Sequence, residues 1–124
     1  MENNYSTIKW LEEPEAQDYP AAHSFLSLIY NEPMVSELVE KLKSAASSEF
    51  KAKDIFRASN LSLLGISNIH VEKDRNKIST GTALSPILLV KDLQNKKVII
   101  ADGYHRLCAV YSFDEDAIIP CKII

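Results

Sequence analysis

The chain has 124 residues, 46% of them hydrophobic, which is enough for one compact domain with its own core and too little for two. Its formal net charge is -3 and its 14 lysines and arginines are scattered along the sequence, a distribution that disfavours a grip on duplex DNA. The opening MENNYSTIKWLEEPE lacks the basic start and apolar centre of a signal peptide, and no apolar run approaches the roughly 18 residues of a membrane helix, so we expect a soluble cytoplasmic protein.

Two helices are predicted in the first third of the sequence. The segment YPAAHSFLSLIY, residues 19–30, spaces its apolar residues by three and four and is closed by Asn31 and Pro33. Its expected apolar face consists of Ala22, Phe25, Leu26, Leu28 and Ile29. The next segment, NEPMVSELVEKLKS, sets charged residues opposite an apolar stripe and is the clearest amphipathic helix in the chain. That stripe consists of Met34, Val35, Leu38, Val39 and Leu42.

The middle of the sequence carries weaker patterns. The serines and alanines of residues 44–48 predict a loop, AKDIFRAS (52–59) predicts a short helix, and LSLLGI (61–66) predicts a short strand closed by Gly65. From His70 onward, the polar segment HVEKDRNKIST is compatible with a helix, and Gly81 is a natural stop after it.

The last third predicts a small sheet. SPILLVKD and KVIIAD each contain a run of consecutive apolar residues, and LQNKK between them predicts the turn of a hairpin. Such runs need cover on both faces. A helix from Tyr104 to Phe113, an acidic loop and a strand IIPCKII follow, with Pro120 favouring an edge position or a bulge. We therefore predict an α+β domain in which Ile87–Val90, Val98–Ala101 and Ile118–Ile124 form one mixed sheet.

The junction in KVIIADGYHRLCAVYSF carries the most chemistry. A strand that ends at Asp102 and Gly103 and passes directly into a helix leaves the first amide groups of that helix without intrahelical partners. Gly103 permits a sharp turn, and His105 and Arg106 bring donors to the same helix end. From these residues alone, the junction is either an anion site or only a turn.

The order of these segments, SPILLVKD, then KVIIADGYHRLCAVYSF, then IIPCKII, resembles the core of the ParB/sulfiredoxin superfamily, as does the preceding VEKDRNKISTGTALSP. The resemblance covers roughly Ile69 to Ile124. Together with the length of the chain, it predicts one domain over residues 1–124, with a helical extension in 1–60, where no motif of the superfamily occurs, and a ParB/sulfiredoxin-like core in 61–124.

The resemblance also implies a ligand. In this superfamily the Gly-x-His-Arg motif binds nucleotide phosphates, so Gly103, His105 and Arg106 would contact phosphate, within a site formed by Asp102, Gly103, Tyr104, His105 and Arg106. The implied ligands are ATP, ADP or CTP with Mg²⁺, or a phosphorylated small molecule. We expect Arg106 to contribute most to affinity, since a charge-assisted bond is worth roughly 1.5–3 kcal/mol, and we expect its removal to leave the fold intact.

Departures from the superfamily pattern limit the implied activity. Sulfiredoxins have their catalytic cysteine where this chain has Tyr104, so we expect no sulfiredoxin activity. Cys108, one helical turn later, reads as a buried thiol, and it forms no CxxC pair with Cys121, so both cysteines are expected to be reduced. Chromosome-partition ParB proteins carry a helix-turn-helix domain after this core, whereas this sequence stops at Ile124, so DNA segregation is not expected.

Several residues outside the phosphate motif are further candidates for a function. Free serine kinases resemble the same core and use a carboxylate to activate the substrate hydroxyl, a role that Asp102 or Glu72 could take. A metal site from His23, His70 and His105 is not supported by their spacing. The acidic run of residues 114–116 reads as a solvated turn. Lys51, Lys53 and Arg57 form a small basic face, from which Arg57 could reach Gly103.

Two classes of function stay open on the sequence alone. One is a protein that binds a nucleotide or phosphate, with catalysis undetermined. The other is a non-catalytic interaction module that keeps the fold and engages a protein partner, or a second copy, through its N-terminal helices. An exposed apolar stripe along Met34, Leu38 and Leu42 would favour the second class.

Overall fold

The computed structural model describes residues 8–65 and 68–124, which form five helices and four strands. In chain order these are α1 (Asp18–Leu26), α2 (Met34–Ser44), β1 (Ser47–Lys51), α3 (Ala52–Ser59), α4 (Ile69–Ser79), β2 (Ile87–Asp92), β3 (Lys97–Asp102), α5 (Tyr104–Phe113) and β4 (Ile118–Ile123). None of these helices has the length and apolar character that crossing a membrane requires.

The four strands form one mixed sheet in the order β1-β4-β2-β3. The β2 and β3 strands pair antiparallel as a hairpin, β4 runs parallel to β2, and β1 pairs antiparallel with β4. The predicted α+β class, the hairpin, the strand after α5 and the bounds of α3 and α5 are confirmed. The helix predicted from His70 is α4, and Gly81 follows its end with φ +75°.

Helices cover both faces of β2 and β3, as the consecutive apolar residues of these strands require. Leu88 and Val90 of β2 pack with α1 and α2 on one face. Ile87 and Leu89 pack with α3 and α5 on the other face. All four residues are almost fully buried. Since burial of such a side chain stabilises by roughly 1.5–3 kcal/mol, these alternating contacts fix the strand between its two layers.

The N-terminal helices α1 and α2 pack on the sheet and share its core. Ala22 and Leu26 of α1 and Val35, Val39 and Leu42 of α2 are buried against β2 and β3. The apolar face predicted for residues 19–30 is wrong for three of its five residues, since only Ala22 and Leu26 are buried. Beyond Leu26 the backbone bonds change to i−3 spacing, so Leu28 and Ile29 leave the helical face, and Phe25, Leu28 and Ile29 are exposed. The stripe on α2 is not an exposed one either, because Leu42 is fully buried.

Two predictions in the middle of the chain are wrong. Residues 47–51, predicted within or next to a loop, form strand β1, which pairs with β4 although it carries little apolar surface of its own. Leu61–Gly65, predicted as a strand, lies outside the sheet, because side chains of α5 hold this segment: Cys108 Sγ accepts from the Leu64 amide and the Tyr104 hydroxyl donates to the Ser62 carbonyl. Ile66, the last residue of that predicted strand, lies outside the described residues.

The edge position that Pro120 favoured is also wrong for β4 as a whole, because β1 and β2 flank that strand. The β2 ladder begins one residue after Pro120, where Ile87 pairs with Cys121. Pro120 therefore has a strand neighbour on the β1 side only, opposite Glu49. A missing amide is tolerated at the end of a ladder, which reconciles the proline with an inner strand.

Replacing Leu26 with alanine tests whether the N-terminal helices are integral to the domain. We expect Leu26→Ala to lower the free energy of unfolding by about 2–5 kcal/mol, because it opens a cavity against β2 and β3. Leu28→Ala is the matched control, since Leu28 is 85% exposed, and should change the value by less than about 0.5 kcal/mol. Urea denaturation measures both, and equal stability of the two variants would contradict the packing described.

Candidate functional site

The turn between β3 and α5 places the start of the helix at the end of a buried strand. Asp102 is the last residue of β3 and Tyr104 the first of α5, and Gly103 joins them with φ +111°. The Leu107 amide donates to the Gly103 carbonyl, which begins the helical hydrogen bonds. No side chain caps this helix start. Its first amides are therefore left to face whatever occupies the space above β3.

Gly103 fits this turn for two reasons. Its positive φ is a conformation that residues with a side chain rarely adopt. In addition, a Cβ at this position would lie 2.8 Å from Ile87 Cγ1 and 2.9 Å from Arg106 Nη2. The backbone therefore approaches β2 and the arginine more closely than any other residue type allows.

A polar pocket of about 190 Å³ opens over this turn. The predicted site residues form one wall of it: Asp102, Gly103, Tyr104, His105 and Arg106. Helix α4 forms the other wall with His70, Lys73, Asp74 and Lys77, none of which was predicted. Their spacing of three, four and seven residues places them on one helical face, and that spacing is a signal which the sequence contained.

The two lysines of α4 change the electrostatics of the pocket. Helix α5 starts with unpaired amides and a partial positive charge, and Lys73 and Lys77 line the same small volume. The volume is below the roughly 300–1,000 Å³ of pockets that enclose a small molecule. It suits one or two phosphate groups, whereas a base or sugar would lie outside.

The Arg106 side chain contacts two carboxylates, those of Asp102 and Asp18. Its Nη2 atom donates to Asp102 Oδ2 at 3.1 Å and to the Pro86 carbonyl at 3.2 Å, and lies 3.9 Å from Asp18 Oδ2. The side chain is 16% exposed. Among the described residues, its buried Nε has no hydrogen-bond partner. Arg106 therefore holds the turn against β2 and α1 while it lines the pocket.

Asp18, at the start of α1, is a site residue that sequence reasoning missed. It is 5% exposed, and its Oδ2 accepts from the Ser85 hydroxyl and from the Glu15 amide, the latter at 3.1 Å. Ser85 immediately precedes Pro86, whose carbonyl Arg106 contacts. The cluster of Asp18, Ser85, Asp102 and Arg106 therefore ties α1 and the segment before β2 to the turn. Its members are far apart in sequence, and no local pattern predicts their contact.

Burial dominates the titration of the acids near the turn. It raises the pKa of Asp102, an effect that Arg106 opposes and the carboxylate of Asp18 reinforces. Burial also raises the pKa of Asp74, against the charges of Lys77, Arg106 and His105. Each of these two carboxyls is therefore easier to protonate than in water.

The two histidine rings of the pocket are in contact, with an angle of 45° between their planes. The centroids of His70 and His105 are 4.8 Å apart. Burial lowers the pKa of His105, and the neighbouring His70 and Arg106 lower it further, while Asp74 opposes this. His105 is therefore neutral at pH 7 in the absence of a ligand, and it can donate or accept through its ring nitrogens.

Tyr104 and Cys108 are engaged elsewhere. The Tyr104 hydroxyl donates to the Ser62 carbonyl, and burial raises the pKa of that phenol. Cys108 is fully buried, and burial raises the pKa of its thiol, which confirms the predicted buried thiol. Burial raises the pKa of Cys121 to about 12, and both cysteines are free. Neither Tyr104 nor Cys108 presents a nucleophile to the pocket.

The other candidates lie away from the pocket. Arg57 is 82% exposed, lies 3.8 Å from Asp54 and is not among the residues that line the pocket at Gly103. Lys53 pairs with Asp116 at 2.7 Å, and Lys51 lies 3.9 Å from the same carboxylate. His23 contacts Glu32 at 3.0 Å near the start of α2. In the part of the chain that the structure describes, no cluster of three or more metal-ligating side chains occurs.

Comparison with protein-family models, with curated proteins and with solved structures gives no match for this chain. The chemistry of the pocket therefore has to be inferred from its own geometry.

Replacing Gly103 with alanine tests the close approach at the turn. We expect Gly103→Ala to lower the free energy of unfolding by about 2–5 kcal/mol, since it adds backbone strain and a clash with Ile87. Gly65→Ala is the control, because a Cβ there meets no atom within 4 Å, and it should change stability by at most about 1 kcal/mol. Thermal or urea unfolding of both decides, and a Gly103→Ala variant as stable as the wild type would refute the turn geometry.

Replacing Arg106 tests its structural role. Arg106→Ala leaves Asp102 and Asp18 buried without their cation, so we expect a loss of about 3–5 kcal/mol. The pKa of Asp102 is raised in the folded protein, so its ionisation destabilises the fold above that pKa, and the penalty is relieved as pH falls through it.

Without Arg106 that pKa rises further and the penalty grows. The stability gap between wild type and Arg106→Ala should therefore shrink between about pH 7 and about pH 4. Denaturant unfolding at both pH values measures the gap. A gap that is small at neutral pH would restore the expectation that the arginine can be removed without harm to the fold.

Proposed function

We propose that the pocket between α4 and the start of α5 binds a phosphate group, carried by a nucleotide or by another phosphorylated small molecule. The observation that carries the proposal is the convergence of an uncapped helix start with Lys73 and Lys77 on one volume of about 190 Å³. The order of hairpin, helix and strand over residues 87–123 supports a ParB/sulfiredoxin-like relationship, which is part of the same proposal.

Three sources of attraction act on the phosphate. The free amides at the helix start contribute roughly 0.3–1 kcal/mol toward an anion. Lys73 and Lys77 supply mobile point charges, which suit phosphate oxygens. Arg106 adds positive potential, but Asp102 already occupies its Nη2 atom. The lysines, rather than the arginine, therefore supply the positive charge that is available to the ligand.

Asp74 and Asp102 set the balance of charge in the pocket. Among the residues that line the pocket, Lys73, Lys77 and Arg106 carry three positive charges, and the two ionised carboxylates cancel two of them. The remaining single positive charge does not neutralise a phosphate dianion. Two changes on binding would improve the balance: protonation of His105, and arrival of Mg²⁺ with the nucleotide. Mg²⁺ commonly binds one or two carboxylates together with substrate phosphates. Asp74 is the carboxylate available for it, since Asp102 is paired with Arg106.

A second candidate function is a non-catalytic interaction module. The observation that favours it is a set of exposed apolar residues around the α1–α2 connection, namely Phe25, Leu28, Ile29 and Met34. This surface lies on the N-terminal helices, where a protein partner or a second copy was expected. It differs from the stripe considered in the sequence, because Leu42 faces the core.

Calorimetric titration tests phosphate binding. We expect the wild type to bind ADP or ATP, and the double variant Lys73→Ala/Lys77→Ala to bind at least about tenfold more weakly, which corresponds to about 1.4 kcal/mol. Titrations with and without Mg²⁺ test whether the cation accompanies the nucleotide. Lys41→Ala is the control, because Lys41 pairs with Glu37 on the surface of α2. A folded wild type that binds neither nucleotide nor inorganic phosphate, or equal affinity in wild type and double variant, would refute the proposal.

A further inference from the structure

A groove of about 630 Å³ lies over the half of the sheet that contains β1 and β4. Lys122 pairs in register with Leu88, so Pro120 and Ile118, two and four residues before it, point to the face that α1 and α2 cover. Both line the groove beside Ser47 and Glu49 of β1. The helices α1 and α2 pack with β2 and β3 on this face. The groove is the part of the face that they leave open.

The groove combines an apolar lining with an acidic rim. Ile8, Trp10, Leu11, Ile118 and Pro120 supply the apolar surface. The rim carries the carboxylates of Glu12, Glu49, Asp114 and Asp116. Of these four, Asp116 is neutralised by Lys53, while no ion pair of the described residues involves Glu12, Glu49 or Asp114. The groove therefore suits an occupant that is aliphatic at its centre and positively charged around it.

The tip of the β2–β3 hairpin has that character. Leu93 is 79% exposed there. Lys91, Lys96 and Lys97 surround it, and all three are exposed. Its one carboxylate, Asp92, accepts from the amide and the side chain of Asn95. No ion pair found among residues 8–65 and 68–124 engages these three lysines. The tip thus offers an apolar side chain for the lining of the groove and positive charges for its acidic rim.

We infer that the groove of one copy receives the β2–β3 hairpin tip of a second copy, with Leu93 on the apolar floor and the lysines beside the rim carboxylates. The tip cannot reach the groove of its own chain. Ile87 pairs with Cys121, so Pro120 lies at the level of the start of β2. The turn follows Asp92 at the opposite end of that strand, roughly 20 Å away at about 3.3 Å per residue.

Such a contact joins two different surfaces, so it is heterologous and extends head to tail rather than closing as a two-fold dimer. A hairpin tip in a groove buries less than the roughly 1,000 Å² of a stable interface. The association should accordingly be weak and concentration-dependent. It should also be sensitive to salt, because exposed charges are screened over about 10 Å at moderate ionic strength. It does not depend on the phosphate pocket, which lies at another part of the fold.

Sedimentation equilibrium of the full chain, up to roughly 1 mM protein where contacts of this size become populated, tests the inference. We expect the weight-average mass to rise with concentration at low salt and to return toward the monomer at high salt. Leu93→Ser should weaken association at least about tenfold. Glu49→Lys should weaken it as well, and combining Glu49→Lys with Lys96→Glu should restore part of the loss.

Ile69→Ser is the matched control, since Ile69 is 74% exposed at the start of α4 and lies on neither the hairpin tip nor the α1–α2 connection, and it should leave association unchanged. Circular dichroism checks that the variants fold. A monomer at every concentration in low salt overturns the inference, as does association that Ile69→Ser abolishes or that Leu93→Ser leaves intact. Association that Leu28→Ser abolishes would place the contact on the α1–α2 connection and overturns the inference too. If the monomer instead binds a synthetic peptide of alternating lysine and leucine, with loss of binding in Glu49→Lys, the groove serves a different partner and the inference is wrong.

Discussion

The arrangement of this domain depends on one buried charge cluster, in which Arg106 meets the carboxylates of Asp102 and Asp18. Removing a charge from water costs several kcal/mol per ion unless a partner compensates. Here one guanidinium serves two carboxylates, and burial raises the pKa of Asp102, an effect that Arg106 opposes and Asp18 reinforces. Each member therefore holds the others in place, and the loss of one leaves an uncompensated charge in the interior.

The cluster joins parts of the chain that are distant in sequence. Asp102 and Arg106 belong to the β3–α5 turn, Asp18 begins α1, and the Pro86 carbonyl precedes β2. The Glu15 amide donates to both Asp18 and Ser85, and the Ser85 hydroxyl donates to Asp18. These bonds fix the segment before α1 as well. The N-terminal helices and the sheet therefore share an electrostatic contact as well as the apolar contacts of Leu26 and Leu42.

Arg106 and the two lysines of α4 have different roles at the pocket. Arg106 is held by its carboxylate partners and by the Pro86 carbonyl, and these contacts fix the turn and the helix start. Lys73 and Lys77 are on α4, whose other side packs through Val71 against Cys108 and Ala109 of α5. The scaffold is thus rigid on one side of the pocket and carries flexible charges on the other. That combination favours binding of a phosphate group without reorganisation of the backbone.

The last third of the chain could be predicted from sequence because its signals are local. Four consecutive apolar residues in SPILLVKD require two-sided burial, and Asp-Gly marks the point where β3 gives way to α5. Strand β1 could not be predicted, because SSEFK has little apolar surface and its partner β4 lies at the other end of the chain. Asp18 was missed for the same reason, since an isolated acid carries no signal of a distant arginine. The pocket face of α4 did carry a signal, in the helical spacing of His70, Lys73, Asp74 and Lys77.

We propose above all that the start of α5 and the facing side of α4 bind phosphate. An amide-resolved NMR titration of the wild type with ADP tests it most directly, because it reports the location of binding and its strength together. We expect the amides of Gly103, Tyr104 and His105 to shift first and to saturate together with those of residues 70–77. Saturable shifts confined to another part of the chain, or no shifts at ADP concentrations well above roughly 1 mM, where even weak binding of about 4 kcal/mol would show, would contradict it.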